Sequence, residues 1–220
     1  MYKFLFLVLL TALPSHATMM ISYDSLYKKM KTLQKPEFTD LTLAFLLTNT
    51  DRKGECRFID LRLTSDIHNV PLFLFANGEI NLPYDEALKD SKARLILQQA
   101  DNHPSCELTL RLRTRMPLQQ TMSQQELNHF QQQFTLVLTE LAGSVSKRWL
   151  PEVTGVIAVF SQQDSPEHQL TPEQQDVTKC QQQRCEIRLK ALDAPATRQW
   201  HFAEKPIYLL PLLEQNNPAN

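Results

Sequence analysis

The pattern of apolar and polar positions changes three times along the chain. Phe4 to Leu13 (FLFLVLLTAL) is an almost unbroken apolar run that follows Lys3 and stops at Pro14. Ser15-His16-Ala17 then places small residues at the −3 and −1 positions of a cleavage site. This pattern predicts a secretory signal peptide over residues 1–17, cleaved after Ala17. A membrane anchor is the competing reading. A helix over that run rises only about 15 Å, half of a bilayer core. No later apolar run approaches the length of a membrane span, so the mature chain is expected to be soluble, with no transmembrane segment.

Beyond residue 17 the periods are those of short helices and strands. Tyr23, Leu26, Tyr27, Met30 and Leu33 recur at steps of three and four, which predicts a helix over Ser22 to Leu33, ended by Pro36. Leu41, Leu43, Phe45 and Leu47 alternate, as on a strand with one buried face. Cys56 to Thr64 reads as a second strand. Leu72 to Phe75 and Glu79 to Leu82 flank Asn77-Gly78, a dipeptide that suits a type I′ hairpin turn. Tyr84 to Lys89 reads as a helical turn. Lys92 to Gln98 and Cys106 to Arg115 follow as strands. In the second, Cys106, Leu108, Leu110 and Leu112 are expected on one face. Glu107, Thr109, Arg111, Arg113 and Arg115 are expected on the other.

The longest predicted element is a helix from Gln124 to about Leu150. It opens with the capping box Ser123-Gln124-Gln125-Glu126 and carries one apolar stripe from Leu127 to Trp149. Its outer face is rich in Gln rather than in Lys and Arg, which favours core packing over a membrane surface. Val153 to Phe160, a hairpin of Thr178–Cys180 with Cys185–Leu189, Trp200 to Phe202 and Pro206 to Leu213 complete the strands. The fold class is therefore α+β: mainly antiparallel strands, a short N-terminal helix and one long central helix. The mature chain divides as an N-terminal unit, 18–118, and a C-terminal unit led by the long helix, 119–220. Both halves run from a helix through Pro-Glu (Pro36-Glu37, Pro151-Glu152) into a strand, and later into a strand that opens at a Cys. That order is the one a duplicated helix-plus-meander unit would leave, although short matches also arise by chance.

Composition narrows the function. Lys and Arg total 23 against 24 Asp and Glu, a net charge of −1, so the excess positive charge that drives nucleic-acid binding is missing. Only 4 Gly are present, and neither GxGxxG nor GxxxxGK[ST] occurs, which removes the phosphate-cradling loops. The 4 Cys, namely Cys56, Cys106, Cys180 and Cys185, all follow the leader. In an oxidising compartment an even number predicts disulfides. Cys180 and Cys185 flank the polar stretch Gln181 to Arg184, and a four-residue hairpin loop would set them face to face; Cys56 then pairs with Cys106 by elimination. The 56–106 bridge closes the longer loop and should contribute on the order of 3–4 kcal/mol. A redox-active or metal-binding pair would call for CxxC or CxxH, and neither occurs.

Catalytic constellations are incomplete. His68, His103, His129, His168 and His201 share no metal-ligand spacing, so no metal and no other cofactor is expected. Ser25 to Lys28 and Ser144 to Lys147 match S-x-x-K, but the other serine-acylase motifs are missing. No G-x-S-x-G elbow occurs. A glycosidase pair could be drawn among Asp60, Asp66 and Glu79, as it could in any chain with 24 Asp and Glu. No catalytic residue is assigned. The most specific surface feature is the row Arg111, Arg113 and Arg115, with Arg57 and Arg62 expected on a neighbouring strand. Guanidinium groups in a row suit phosphate or carboxylate ligands, and a charged strand face also serves simply to resist edge pairing.

Tyr23-Asp24-Ser25-Leu26-Tyr27-Lys28-Lys29-Met30, the strand at Leu41 to Leu47, Cys56 and Ile80-Asn81-Leu82-Pro83-Tyr84-Asp85-Glu86-Ala87-Leu88 together resemble exported gammaproteobacterial proteins of domain-of-unknown-function family 2987, over residues 20 to 115. The resemblance implies export and assigns no activity, cofactor or site residue. The expected function is a soluble periplasmic, non-catalytic binding or envelope-associated protein whose partner is an envelope protein or glycan, not a nucleic acid. The alternative is an envelope hydrolase whose site assembles from distant residues between the two halves.

Overall fold

The structure, a computed structural model, describes residues 18–51, 56–100, 105–115, 118–146, 150–161, 172–189 and 198–214. The predicted leader lies outside them. In chain order the elements are β1 (Thr18–Ser22), α1 (Tyr23–Thr32), a 3-10 turn (Pro36–Phe38), β2 (Leu41–Asn49), β3 (Phe58–Thr64), β4 (Asn69–Pro71), β5 (Glu79–Ile80), α2 (Glu86–Asp90), β6 (Arg94–Gln99) and β7 (Cys106–Thr114). Then come β8 (Thr121–Ser123), α3 (Gln124–Ser146), β9 (Glu152–Val159), α4 (Pro172–Gln175), β10 (Thr178–Gln181), β11 (Arg184–Arg188), β12 (Gln199–His201) and β13 (Tyr208–Glu214). The chain is α+β, with antiparallel pairing throughout the strand registers.

Contacts gather the chain into two compact units, each assembled from separate stretches. Unit 1 takes Met1–Tyr23, Leu47–Asn81 and Asp85–Leu108; unit 2 takes Asp24–Leu46, Leu82–Tyr84 and Thr109–Asn220. This differs from a consecutive division at residues 118 and 119. The division falls inside β2 and β7, long strands whose hydrogen bonds join residues far apart in sequence.

Unit 1 contains a four-stranded sheet of order β1-β6-β3-β4. Leu97 stands opposite Met19 and Leu61, and Leu95 opposite Ile21 and Leu63. These four leucines are buried, each contributing on the order of 1.5–3 kcal/mol relative to exposure. The alternate row, Met20, Ile96, Arg62 and Pro71, lies on the opposite face. Asp60 and Arg62 form an ion pair there. Cys56 and Cys106 are bonded, with Cα atoms 5.6 Å apart, as the sequence predicts.

The Asn77-Gly78 hairpin forms, with a different turn. Only Gly78 has a positive φ, of 80°, whereas a type I′ turn needs it at both central residues. Gly78 N–H donates to Phe75 C=O at 2.9 Å and Phe75 N–H to Glu79 C=O at 2.8 Å. That is a three-residue loop closed by a bulge at the left-handed glycine.

A three-stranded sheet has the order β5-β2-β7. The expectation of a single buried face on β2 is not met: Ala44, Phe45, Leu46 and Leu47 are all buried. Four consecutive buried residues mean that both faces of β2 are covered here, and apolar residues on such a strand need not alternate. On β7, Leu110 is 41% exposed rather than sharing the buried side with Cys106 and Leu112.

Unit 2 is organised by α3 and a sheet of order β10-β11-β9-β13. The capping box forms: Ser123 N–H and Oγ donate to Glu126 Oε2 at 2.7 and 2.8 Å, and Glu126 N–H donates to Ser123 Oγ at 3.2 Å. Leu127, Phe134 and Val137 are fully buried, in a cluster with Val156, Ala158, Phe160, Ile187, Trp200 and Leu209. The helix ends before the predicted Leu150. Gly143 breaks it with φ 69° and ψ −178°. Gly155 on β9 has no room for a side chain, because a Cβ there would lie 1.9 Å from the Ile187 carbonyl oxygen.

Cys180 and Cys185 are bonded and directly opposite in register, with Cα atoms 4.0 Å apart. The loop between the strands is shorter than the four residues predicted. Gln181 pairs with Arg184, leaving Gln182 and Gln183, and Gln182 takes φ 51°.

The two helix-Pro-Glu-strand passages share their order but not their pairing. β2 lies between β5 and β7, and β9 between β11 and β13. Cys185 sits on β11, a neighbour of β9, whereas Cys56 precedes β3, which pairs with β4 and β6 rather than with β2.

Candidate functional site

The arginine row is built by β7 and its surroundings within unit 2. Strand alternation sends Arg111 and Arg113 to one side, about 7 Å apart, and Thr114 to the other. Thr114 is fully buried and its Oγ1 accepts from Leu209 N–H at 2.9 Å, which ties β7 to β13. The Arg113 guanidinium carbon lies 5.2 Å from the centre of the Tyr208 ring, a cation–π contact at the start of β13. Arg115, just past the strand, is held twice. Its N–H donates to Asp40 C=O, and its side-chain Nε to Leu41 C=O, both at 2.8 Å.

Two of the three guanidinium groups are therefore oriented in part by uncharged partners, a ring face and a carbonyl. Arg111 is half-buried, and no ion pair or hydrogen bond engages its side chain among the described residues. The remaining N–H groups of such a row can donate in pairs to carboxylate, phosphate or sulfate oxygens. Sequence alternation reaches the row; the Tyr208 face and the Leu41 carbonyl carry no sequence signal, because both are tertiary partners. Arg57 and Arg62 do not extend the row. Arg57 stands just before β3 and Arg62 on it, and the neighbours of β3 are β6 and β4; Arg62 pairs with Asp60.

The other sequence candidates are placed as follows. Lys28 of the first S-x-x-K pattern pairs with Asp24 at 2.7 Å on exposed helix surface. The side chains of the Ser144 to Lys147 pattern, and His103 and His168, lie outside the described residues. Glu79 accepts from the Asn77 side chain at 3.4 Å, and Asp66 is on an exposed loop. His129 lies 3.5 Å from Asp40, and His201 Nδ1 lies 2.9 Å from the Thr121 hydroxyl. Among the described residues no group of three or more His, Cys, Asp or Glu could hold a metal ion, and no helix is long and apolar enough to cross a membrane.

A shallow hollow of about 300 Å³ lies where α3 passes the start of β9, lined by Thr135, Leu138, Thr139, Pro151, Glu152 and Val153. The hydroxyls of Thr135 and Thr139 donate to the carbonyls of Gln131 and Thr135, at 2.9 and 2.7 Å, so neither is poised as a nucleophile.

Two of the segments that carry the sequence resemblance also meet. In unit 1 the buried Tyr23 hydroxyl accepts from Asp85 N–H at 3.0 Å, while the Asp85 carboxylate caps α2 through the N–H groups of Ala87 and Leu88. In unit 2 the Tyr27 ring stacks on Tyr84, with centres 4.6 Å apart and planes 7° from parallel. These tyrosines fix the Pro-Tyr-Asp stretch in place, a structural role for both segments. No curated protein and no solved structure matches this chain. A family model described as protein of unknown function (DUF2987) matches residues 15–160, and the chain belongs to that family.

Proposed function

We propose that this chain is an exported, non-catalytic binding protein of the periplasm, and that it takes an anionic envelope component, polysaccharide or protein, on the arginine row of β7. The support comes from one arrangement: Arg113 rests on the Tyr208 ring, Arg115 is anchored to the Leu41 carbonyl, and Arg111 beside them has no internal partner among the described residues. Holding the guanidinium groups before a ligand arrives lowers the ordering cost of binding. The two disulfides fit an oxidising compartment. Leader cleavage predicts a mature N-terminus at Thr18, read by mass spectrometry of the osmotic-shock fraction.

The row is tested by retention of the purified protein on peptidoglycan fragments, a sulfated polysaccharide and anionic phospholipid vesicles. Retention on one of these is expected to weaken with salt. In Arg111→Ala combined with Arg115→Ala it is expected to fall about tenfold or more, the loss of one to two charge-assisted contacts. Retention that ignores both changes would remove the row from the reading. Turnover of a glycan, ester or peptide substrate would replace a binding role with the hydrolase alternative.

A further inference from the structure

Strand edges offer unpaired N–H and C=O groups to any extended chain, and folded proteins blunt them with charge, proline or shortness. The strands that end the sheets here follow that rule. β4 is three residues long and contains Pro71; β13 contains Pro211 and Glu214. β10 carries Lys179, and β7 carries Glu107, Arg111 and Arg113. β5 has two residues, and β8 and β12 have three each. β1 departs from it. Thr18-Met19-Met20-Ile21-Ser22 ends a four-stranded sheet, runs for five residues, and has neither a charged side chain nor proline.

The register shows which groups β1 presents. Tyr23 N–H donates to Ala93 C=O at 3.0 Å, with Ser22 opposite Arg94. Hydrogen-bonded pairs alternate along an antiparallel ladder. Met19 and Ile21 therefore exchange bonds with Leu97 and Leu95, and the backbone groups of Thr18 and Met20 point away from β6. The Met20 side chain is 61% exposed.

We propose that β1 pairs antiparallel with β1 of a second copy of this chain, about a twofold axis at Met20, joining two four-stranded sheets into one. An isologous contact requires a self-complementary surface, and β1 supplies one. In this register Met20 faces Met20 of the second copy, Met19 faces Ile21, and Thr18 faces Ser22. Apolar side chains meet on the side already facing the core, and hydroxyl residues meet at both ends. A shift by one residue would turn that side chain set to the wrong face. No charged side chain repels across the axis, and the α-ammonium that leader cleavage would leave on Thr18 stands opposite Ser22 rather than opposite its own copy. The contact is short, so the dimer belongs with the weak, exchanging class.

Sedimentation of the purified protein at about 100 µM, a concentration suited to micromolar affinity, is expected to show a dimer that dissociates on dilution. Met20→Lys should shift it to monomer with an unchanged thermal melt, since the side chain is exposed. Met20→Cys, oxidised with copper phenanthroline, should run as a covalent dimer on a non-reducing gel, because Cα atoms of a hydrogen-bonded antiparallel pair lie about 5.5 Å apart, within disulfide range. A protein that stays monomeric at that concentration, and whose Met20→Cys variant gives no covalent dimer, overturns the proposal. So does a dimer that Met20→Lys leaves intact.

Discussion

In unit 1 the sheet β1-β6-β3-β4 buries one face, and its alternate row of Met20, Ile96, Arg62 and Pro71 lies on the other; in unit 2, β9 is buried along most of its length, with α3 among the elements packed around it. The disulfides divide in the same way. Cys56–Cys106 links residues 50 apart in unit 1, whose sheet buries one face, and Cys180–Cys185 links residues 5 apart in a hairpin already paired by backbone hydrogen bonds. A small core stabilises a domain weakly, and a covalent link that closes a long loop removes more unfolded-chain entropy than one that closes a tight turn. Unit 1 should therefore depend on its cross-link, and unit 2 on its packing.

The largest effect expected from breaking that contrast is in unit 2. Phe134→Ala empties the centre of the α3 cluster and should destabilise by about 3–5 kcal/mol in urea unfolding. A loss under about 1 kcal/mol would mean that α3 does not organise the core. Next comes the long cross-link. Replacing both Cys56 and Cys106 with Ala should cost about 3–4 kcal/mol, and replacing Cys180 and Cys185 only about 2 kcal/mol. Native-state hydrogen exchange sharpens the contrast: the first pair should loosen amides of β3 and β6, the second those of β10 alone. Equal losses from the two pairs would erase the difference drawn between the units. The smallest effect is at the start of α3, where Ser123→Ala removes one half of the capping box and should lower stability by about 1 kcal/mol. Double replacement with Glu126→Ala should add little, since the two side chains act together.

What the sequence made legible was local. The steps of three and four in Tyr23 to Leu33, the Ser123 to Glu126 capping box and the Cys180–Cys185 pairing all depend on residues within a few positions of each other, and each forms. Tertiary choices left weaker traces. β2 is buried on both faces, so Ala44 and Leu46 break the alternation that Leu41 to Leu47 suggests. β1 shows no period of its own, being five residues with uncharged side chains soon after the apolar run of residues 4–13. Nothing in β7 or β3 names its neighbour, so alternation alone places Arg62 beside a strand with which it does not pair. For the candidate site, the order of residues tells which side chains share a face. It cannot supply the Tyr208 ring or the Leu41 carbonyl that orient them.

Gly143 interrupts α3 in a conformation that glycine alone adopts readily. Its φ of 69° with ψ of −178° is the mirror image of an ordinary extended backbone, and a Cβ added there would meet nothing within 4 Å. Space is therefore not what excludes other residues. An alanine of opposite chirality would sit there in its own relaxed geometry, while its natural enantiomer would be strained in the same open surroundings. The helix is interrupted at this point by handedness rather than by volume.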